Sequence, residues 1–253
     1  MLNVQWGSGE MEKDVINVYW APFYESDGEY DDWSFLYPKP KNLFSTLIEK
    51  KNSDSGSSNF FACPAVSNKT KNIYVFSNAL SGSYRYEGSE IHGTSENFIS
   101  VTSERSPSID QGPLFAFSLR YLLFADQPLD AYFTPPYFSK PEYTQYGSVM
   151  VGEFDIGRWF RPYNFEIQTW SNNGEIHLKE NEPLFYVEFK TDKKIKMHRF
   201  KQTDQILKYS AACATTQHLF GKGESLIKKY GRFKDVGLKE KILMEIKANL
   251  LED

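Results

Sequence analysis

The segment "GRWFRPY" concentrates side chains that can bind a polar ligand. It places Arg158, Trp159 and Arg161 next to each other, directly before the rigid Pro162. An indole face attracts a cation, and a guanidinium can donate two parallel hydrogen bonds to a carboxylate or a phosphate. These residues predict a rim that binds a carboxylate, a sugar or a phosphate. The alternative is structural, with both arginines paired to acidic side chains of the same protein.

Two aromatic residues near the N-terminus extend this ligand-binding set. Trp20 and Tyr24 could line a pocket together with Trp159 and Arg161, as in a cupin-like enzyme of the oxygenase or isomerase type. The sequence contains no P-loop, no His-Glu-x-x-His and no G-x-G-x-x-G. We therefore assign no catalytic residue, although an enzyme built from scattered residues would also lack such motifs.

The histidines do not form a recognisable metal-binding motif. Iron oxygenases of the jelly-roll class need two histidines and a carboxylate, with a His-x-Asp or His-x-Glu pair. None of His92, His177, His198 and His218 has an acidic residue two positions later, and no His-x-His occurs. Glu175 and His177 share one strand face and could bind a metal with a third ligand, but that face is the polar one, which favours a solvated pair.

A second possible ligand cluster consists of His92 with Glu90 and Glu96, at what we interpret as the tip of a polar hairpin. The two cysteines, Cys63 and Cys213, lie in apolar contexts and cannot form a four-thiolate zinc site or a disulfide framework. We predict no metal and no other cofactor, and a reducing compartment.

The elements that position these residues are predominantly β-strands. The chain holds 20 Phe, 16 Tyr and 5 Trp, which favour strands, and 12 Pro, which end them. Short β-rich runs separated by turn residues indicate a sandwich or a barrel. These runs are "NFFACPAV", "NIYVFSN", "SYRYE", "NFISVTS", "LFAFSLRYLLFA", "YGSVMVGEF", "YNFEIQTW", "EIHLK" and "PLFYVEF", after a first strand "VINVYWAPFY".

Two stretches give more specific predictions. The segment "FADQPLDAYFTPPYFSKPEY" contains four prolines, so we predict a surface loop and no central strand. The run from "YNFEIQTW" through "SNNG" and "ENEP" to "PLFYVEF" predicts three strands joined as successive hairpins. That pattern resembles the closing part of a jelly roll, so the predicted fold is an antiparallel jelly-roll or cupin-like sandwich.

Helices are predicted near the N-terminus and at the C-terminus. "NLFSTLIEKK" shows a helical apolar face behind an Asn42 cap, and Thr203 can cap "DQILKYSAACAT". Leu238, Ile242, Ile246 and Leu250 form a further apolar stripe. We predict a disordered segment at residues 1–10, a β-sandwich body at 11–200 and a helical tail at 201–253 that packs on the body.

The net charge is −4, but residues 190–253 hold 15 basic and 8 acidic residues. Contact with nucleic acid is one interpretation. The interpretation we prefer is a helical tail lying on its own acidic body, so we expect no nucleic-acid partner. No apolar run reaches the length of a membrane span, and the first residues lack the pattern of a secretory signal. We therefore expect no membrane contact and no secretion by a signal peptide.

Several sequence segments together resemble those of one protein family. "NVYWAPFY", "LYPKPKNLFSTL", "NFFACPAV", "RWFRPYNFEIQTW" and "EPLFYVEF" resemble an uncharacterised family of proteins from tailed phages of marine cyanobacteria, over nearly the whole chain from Met11. The "W-x-x-P-x-x-F…W…EP" portion also resembles a family of uncharacterised bacterial proteins. The resemblance implies a protein of the host cytoplasm or of the virion, and it assigns no activity and no functional residues.

These observations together favour a non-catalytic binding or virion-associated protein. Its partners would be other virion proteins or a small polar ligand. The cupin-like enzyme remains the alternative.

Overall fold

The computed structural model describes residues 14–24, 33–53, 63–93, 99–104, 112–214 and 237–252, together with positions 228, 231 and 233. These residues form a mainly β structure with three sheets and with helices near the C-terminus. Mainly β architecture with C-terminal helices is confirmed. The predicted segment at residues 1–10 lies outside the described residues, and the division of the chain near residue 200 stays a prediction.

Sheet A has the strand order β14-β1-β7-β11-β9, with β6 also paired to β7. Its strands are β1 (Val15–Phe23), β6 (Val101–Glu104), β7 (Leu114–Ala125), β9 (Gly147–Val149), β11 (Pro162–Thr169) and β14 (Lys194–Arg199). The long strand β7 pairs through its first half with β6 and through its second half with β1. All pairs are antiparallel except β1 with β14, which is parallel. The prediction of a wholly antiparallel body is therefore wrong at this edge, because no tight turn joins β1 to β14 and so none fixes their relative direction.

Sheet B is antiparallel and has the order β10-β8-β13-β3-β2. Its strands are β2 (Lys41–Asn42), β3 (Ile73–Ser77), β8 (Asp130–Thr134), β10 (Gly152–Asp155) and β13 (Pro183–Phe189). Sheet C is a smaller antiparallel sheet with the order β12-β4-β5. It consists of β4 (Gly82–Glu87), β5 (Glu90–Gly93) and β12 (Asn173–Leu178).

Aromatic side chains from all three sheets meet in one core. Phe185 of sheet B stacks on Phe76 at a ring separation of 5.0 Å and meets Tyr163 of sheet A at 5.1 Å. From sheet C, Tyr84 packs edge-on against Phe117 at 5.2 Å. Aromatic pairs at these separations stabilise a core beyond the area that they bury. The side chains on the inward faces of the strands therefore pack in the core.

Helices cover parts of the outer faces of sheets A and B. Helix α1 (Leu43–Ser53) begins where the Asn42 side chain accepts a hydrogen bond from the Ser45 N–H at 3.2 Å, which confirms the predicted cap. Helix α3 (Asp204–Ala214) begins in the same way, with Thr203 accepting from the Ile206 N–H at 3.2 Å. Helix α4 (Leu238–Ala248) buries Ile242 and Ile246. Together α3 and α4 cover one half of the outer face of sheet A.

Two predicted segments differ from the structure. The Pro-rich segment contains β8, which lies between β10 and β13 inside sheet B, so the prediction that it holds no central strand is wrong. The prolines at 128, 135, 136 and 141 flank β8 and leave its N–H groups free to pair. "NFFACPAV" was predicted as a strand, but helix α2 (Pro64–Thr70) begins within it. Proline suits the first turn of a helix, where its missing N–H costs nothing.

The predicted succession of hairpins is also wrong, although its three strands exist. The strands β11, β12 and β13 follow each other through short turns, yet each lies in a different sheet. Their partners come from distant parts of the chain: β7 and β9, β4, and β3 and β8 respectively. The turns at 170–172 and 179–182 therefore carry the chain from one sheet to the next. No helix among the described residues is long and apolar enough to cross a membrane.

Candidate functional site

A groove on the outer face of sheet C brings together a serine, an arginine, a glutamate and two histidines. Its polar residues are Ser83 and Arg85 on β4, His92 on β5, and Glu175 and His177 on β12, and we call it the polar groove. It has a volume of about 470 Å³ and is open to solvent.

The alternation of β4 and β12 places these side chains on one face. Tyr84 and Ile176 point into the core and are at most 2% exposed, so their neighbours along each strand must point outward. The register then sets the contacts. Arg85 lies opposite Glu175 on one side and opposite His92 on the other, while Ser83 lies opposite His177.

The polar groove contains a connected row of contacts. Arg85 donates to one Glu175 oxygen through Nε at 3.0 Å and through Nη2 at 2.6 Å. The other Glu175 oxygen lies 3.4 Å from His177 Nε2, and His177 Nδ1 lies 3.0 Å from Ser83 Oγ. Hydrogen bonds from Arg85, followed by its positive charge, lower the pKa of Glu175, so the carboxylate stays ionised. Direct contacts therefore link Ser83, His177, Glu175 and Arg85 in one row.

The surroundings of His177 keep this row close to electrical balance. The Tyr146 ring meets the His177 ring edge-on at 6.1 Å. Nearby, Glu142 pairs with Lys179 at 2.5 Å, and this hydrogen bond lowers the pKa of the Glu142 carboxyl and raises the pKa of Lys179. Arg85 pairs with Glu175 and Lys179 pairs with Glu142, so these four charges cancel.

The two possible metal-ligand clusters take different forms in the structure. Glu175 and His177 contact each other, and Glu175 also forms an ion pair with Arg85. His92 Nε2 lies 4.0 Å from Glu90, while Glu96 lies outside the described residues. In the part of the chain that the structure describes, no three histidine, cysteine or acidic side chains are arranged to hold a metal ion.

The N-terminal pair of predicted ligand-binding residues lies away from the polar groove. Trp20 is fully buried in the core, with the Arg199 guanidinium 5.0 Å from the centre of its ring. Its Nε1 has no hydrogen-bond partner among the residues that the structure describes. Tyr24 lies at the end of β1, where its backbone N–H and carbonyl pair with the side-chain amide of Gln202 at 3.3 and 2.6 Å.

The other three predicted residues lie in the loop between β10 and β11. Arg158 pairs with Asp155 at 3.3 Å, which agrees with the structural alternative for this arginine. Arg161 lies over the Trp159 ring at 5.2 Å, and its burial lowers the pKa of the guanidinium. The arginine–indole stack that the sequence indicated is therefore present. The prediction that these three residues bind a ligand stays a prediction.

Sequence reasoning identified Glu175 and His177 as a pair and His92 as part of a separate cluster, and it missed Ser83 and Arg85. The run "SYRYE" carried a signal, because Ser83 and Arg85 alternate with two tyrosines, but their partners lie about 90 residues away. No family model, curated protein or solved structure matches the chain. The resemblance to phage proteins therefore stays a prediction from sequence phrases.

Proposed function

We propose that this protein is a non-catalytic binding protein that takes a hydroxyl-rich ligand, such as a saccharide, in the polar groove. The observation that carries the proposal is the connected row from Ser83 through His177 and Glu175 to Arg85. A sugar hydroxyl both donates and accepts a hydrogen bond, and the row alternates donors and acceptors across a concave face. Because Arg85 and Glu175 neutralise each other, a neutral ligand suits this surface better than a strongly charged one.

The row resembles the serine–histidine–carboxylate set of hydrolases, but strand geometry argues against acyl transfer. Such catalysis needs N–H donors about 3 Å from the developing oxyanion. Ser83 lies on β4, the middle strand of sheet C. The N–H groups of a strand lie in the plane of the sheet and its side chains stand perpendicular to that plane, so the N–H groups of β4 do not point toward Ser83 Oγ. The row therefore supports binding better than nucleophilic attack.

The cupin-like enzyme required Trp20, Tyr24, Trp159 and Arg161 to line one pocket. Trp20 is fully buried in the core shared by the sheets, so it cannot line an open pocket with the other three residues. This burial favours the binding role. A jelly-roll or cupin-like arrangement of the layers is part of the proposal, supported by the common aromatic core of sheets A and B.

A virion-associated role is the second part of the proposal and rests on the resemblance to phage proteins. Mass spectrometry of purified virions of a phage that encodes this chain tests it. Stoichiometric amounts of the protein in the particle would support a structural role. Clean absence would leave a role in the host cytoplasm.

The binding role is tested by calorimetric titration with a panel of neutral methyl glycosides and one methyl uronate. We expect saturable binding of at least one neutral glycoside. Arg85→Gln should weaken it about tenfold, because a hydrogen bond from a charged group is lost. Arg158→Gln is the matched comparison, since it removes a guanidinium outside the polar groove. Absence of glycoside binding at millimolar concentration would contradict the proposal, and loss of binding in Arg158→Gln alone would favour the sequence-predicted rim.

A further inference from the structure

A second groove lies where the end of α2 meets the end of β13. Lys69, Lys71 and Asn72 line one side, and Lys190 and Thr191 line the other, so we call it the lysine groove. Its volume is about 400 Å³, and it shares no residue with the polar groove. Unlike the polar groove, it is not electrically balanced.

One carboxylate, that of Glu188, forms ion pairs with two of the three lysines. Both oxygens of Glu188 accept hydrogen bonds from Lys69 Nζ at 2.7 Å, and one of them also contacts Lys190 Nζ at 2.9 Å. No carboxylate in the described part of the chain pairs with Lys71. Asp192 is the other acidic residue in the lining. Three ammonium groups against two carboxylates leave the lysine groove with a net positive charge.

The walls of the lysine groove are held in place before any ligand arrives. Lys190 Nζ lies 4.9 Å from the centre of the Tyr132 ring. The Asn72 amide donates to the carbonyls of Thr191 at 2.5 Å and Lys193 at 3.0 Å, which fixes the loop after β13. Thr191 Oγ accepts the Lys193 N–H at 3.1 Å, so its hydroxyl proton can be donated to a ligand. Groups that are already ordered lose less entropy on binding.

An exposed aromatic ring flanks the same carboxylate. Tyr137 is 52% exposed and packs edge-on against Tyr186 at 5.2 Å. Burial, and next the nearby charge of Glu188, raise the pKa of Tyr137 to about 12. Tyr186 and Glu188 are two residues apart on β13 and therefore share one face of that strand. The Tyr137 ring, which packs on Tyr186, thus lies on the same face of sheet B as the carboxylate that bridges Lys69 and Lys190. An aromatic platform next to lysines suits a ligand that combines a planar ring with an anionic group.

We propose that the lysine groove binds a phosphate monoester, with the phosphate on the lysines and the planar group of the ester on Tyr137. A phosphate presents several acceptor oxygens, and lysine ammonium groups bind it as point charges from several directions. The net positive charge favours an anion, and the ring of Tyr137 supplies apolar contact area that inorganic phosphate cannot use.

The test uses two probes on the full chain, inorganic phosphate and phenyl phosphate, at low ionic strength. Chemical shifts of the backbone amides at residues 188–193 report binding. We expect saturable shifts with both probes and tighter binding of phenyl phosphate. Lys71→Gln should weaken both probes about tenfold while leaving the Lys69–Glu188–Lys190 contacts in place, so loss of folding is not a concern. Lys241→Gln, an exposed lysine on α4, is the matched control.

Tyr137→Ala separates the two parts of the site. It should remove the preference for phenyl phosphate and leave the affinity for inorganic phosphate unchanged. Shifts that do not saturate, or that weaken equally in Lys71→Gln and Lys241→Gln, would mean general attraction of ions and would overturn the proposal. Retention of the full phenyl phosphate preference in Tyr137→Ala would overturn the role of the ring. Neutral glycosides should not move these amides, so this result is independent of binding in the polar groove.

Discussion

Phe185 offers a direct test of the aromatic core. Its ring lies within 6.4 Å of five other rings, which belong to sheets A and B and include Phe76 and Tyr163. The side chain is fully buried. Phe185→Ala therefore removes a ring that contacts three rings of sheet A, and it leaves a cavity between the two sheets.

The expected loss is about 3–5 kcal/mol of unfolding free energy, the range measured for buried Phe→Ala changes. A domain is stabilised by only about 5–15 kcal/mol in total, so the variant should be near the limit of folding. Phe185→Leu keeps an apolar side chain of similar size and should lose less than about 1.5 kcal/mol. Urea unfolding, followed by far-ultraviolet circular dichroism, measures both.

Phe35→Ala is the matched control, because the Phe35 side chain is 70% exposed. It should change the unfolding free energy by no more than about 0.5 kcal/mol. The reasoning is refuted if Phe185→Ala costs less than about 1 kcal/mol, or if Phe185→Ala and Phe35→Ala cost the same.

Three further outcomes follow from single contacts. Thr203→Ala should cost about 1 kcal/mol by removing the cap of α3, and Thr203→Ser should restore most of it, as measured by thermal unfolding. Burial would raise the pKa of Glu188, but its hydrogen bonds from two lysines outweigh burial and lower it. The ion pairs of Glu188 therefore stabilise the fold at neutral pH, and this stabilisation is lost as the pH falls through the folded-state pKa. The difference in unfolding free energy between wild type and Glu188→Gln should accordingly shrink in acid. A difference that grows in acid would contradict this. Gly157→Ala should destabilise, since the new Cβ would clash with the Gln127 carbonyl oxygen, whereas Gly152→Ala meets no atom within 4 Å and should be tolerated.

Local signals predicted the elements whose causes are local. The caps at Asn42 and Thr203 mark where α1 and α3 begin, because a side-chain oxygen within three residues satisfies the free N–H groups. The run "LFAFSLRYLLFA" was correctly predicted to be a strand, and every residue of its apolar second half, from 121 to 125, is buried in β7. In these places residues near in sequence decide the structure.

The pairing of strands depends on residues that are far apart in the sequence, and the predictions of strand pairing were wrong for this reason. Alternation predicted the inward face of β12 correctly, with Ile176 buried, but it says nothing about which strand lies beside β12. The prolines around β8 predict a surface loop without a central strand, but a proline disrupts a sheet only at its own position, where a backbone N–H would be needed for pairing. Pro64 opened a helix in a run whose composition favours strands.

The candidate site shows the same division. Glu175 and His177 could be recognised as a pair because they are two residues apart on one strand. Their partners Ser83 and Arg85 lie about 90 residues away and meet them only through the register of sheet C. Trp20 and Trp159 were predicted to line one pocket. In the structure each ring lies under a different arginine, Arg199 and Arg161 respectively, and Trp20 is fully buried.

The central claim is that the polar groove is the ligand-binding surface, and its histidines report on it directly. Imidazole nitrogen spectra of the full chain during titration with the methyl glycosides distinguish His92 and His177 in the groove from His198, which bonds to Asn17 at 2.8 Å on β1. We predict saturable shifts of the His92 and His177 signals with the His198 signal unchanged. Binding that leaves both groove histidines unchanged, or that moves His198 instead, would contradict the account.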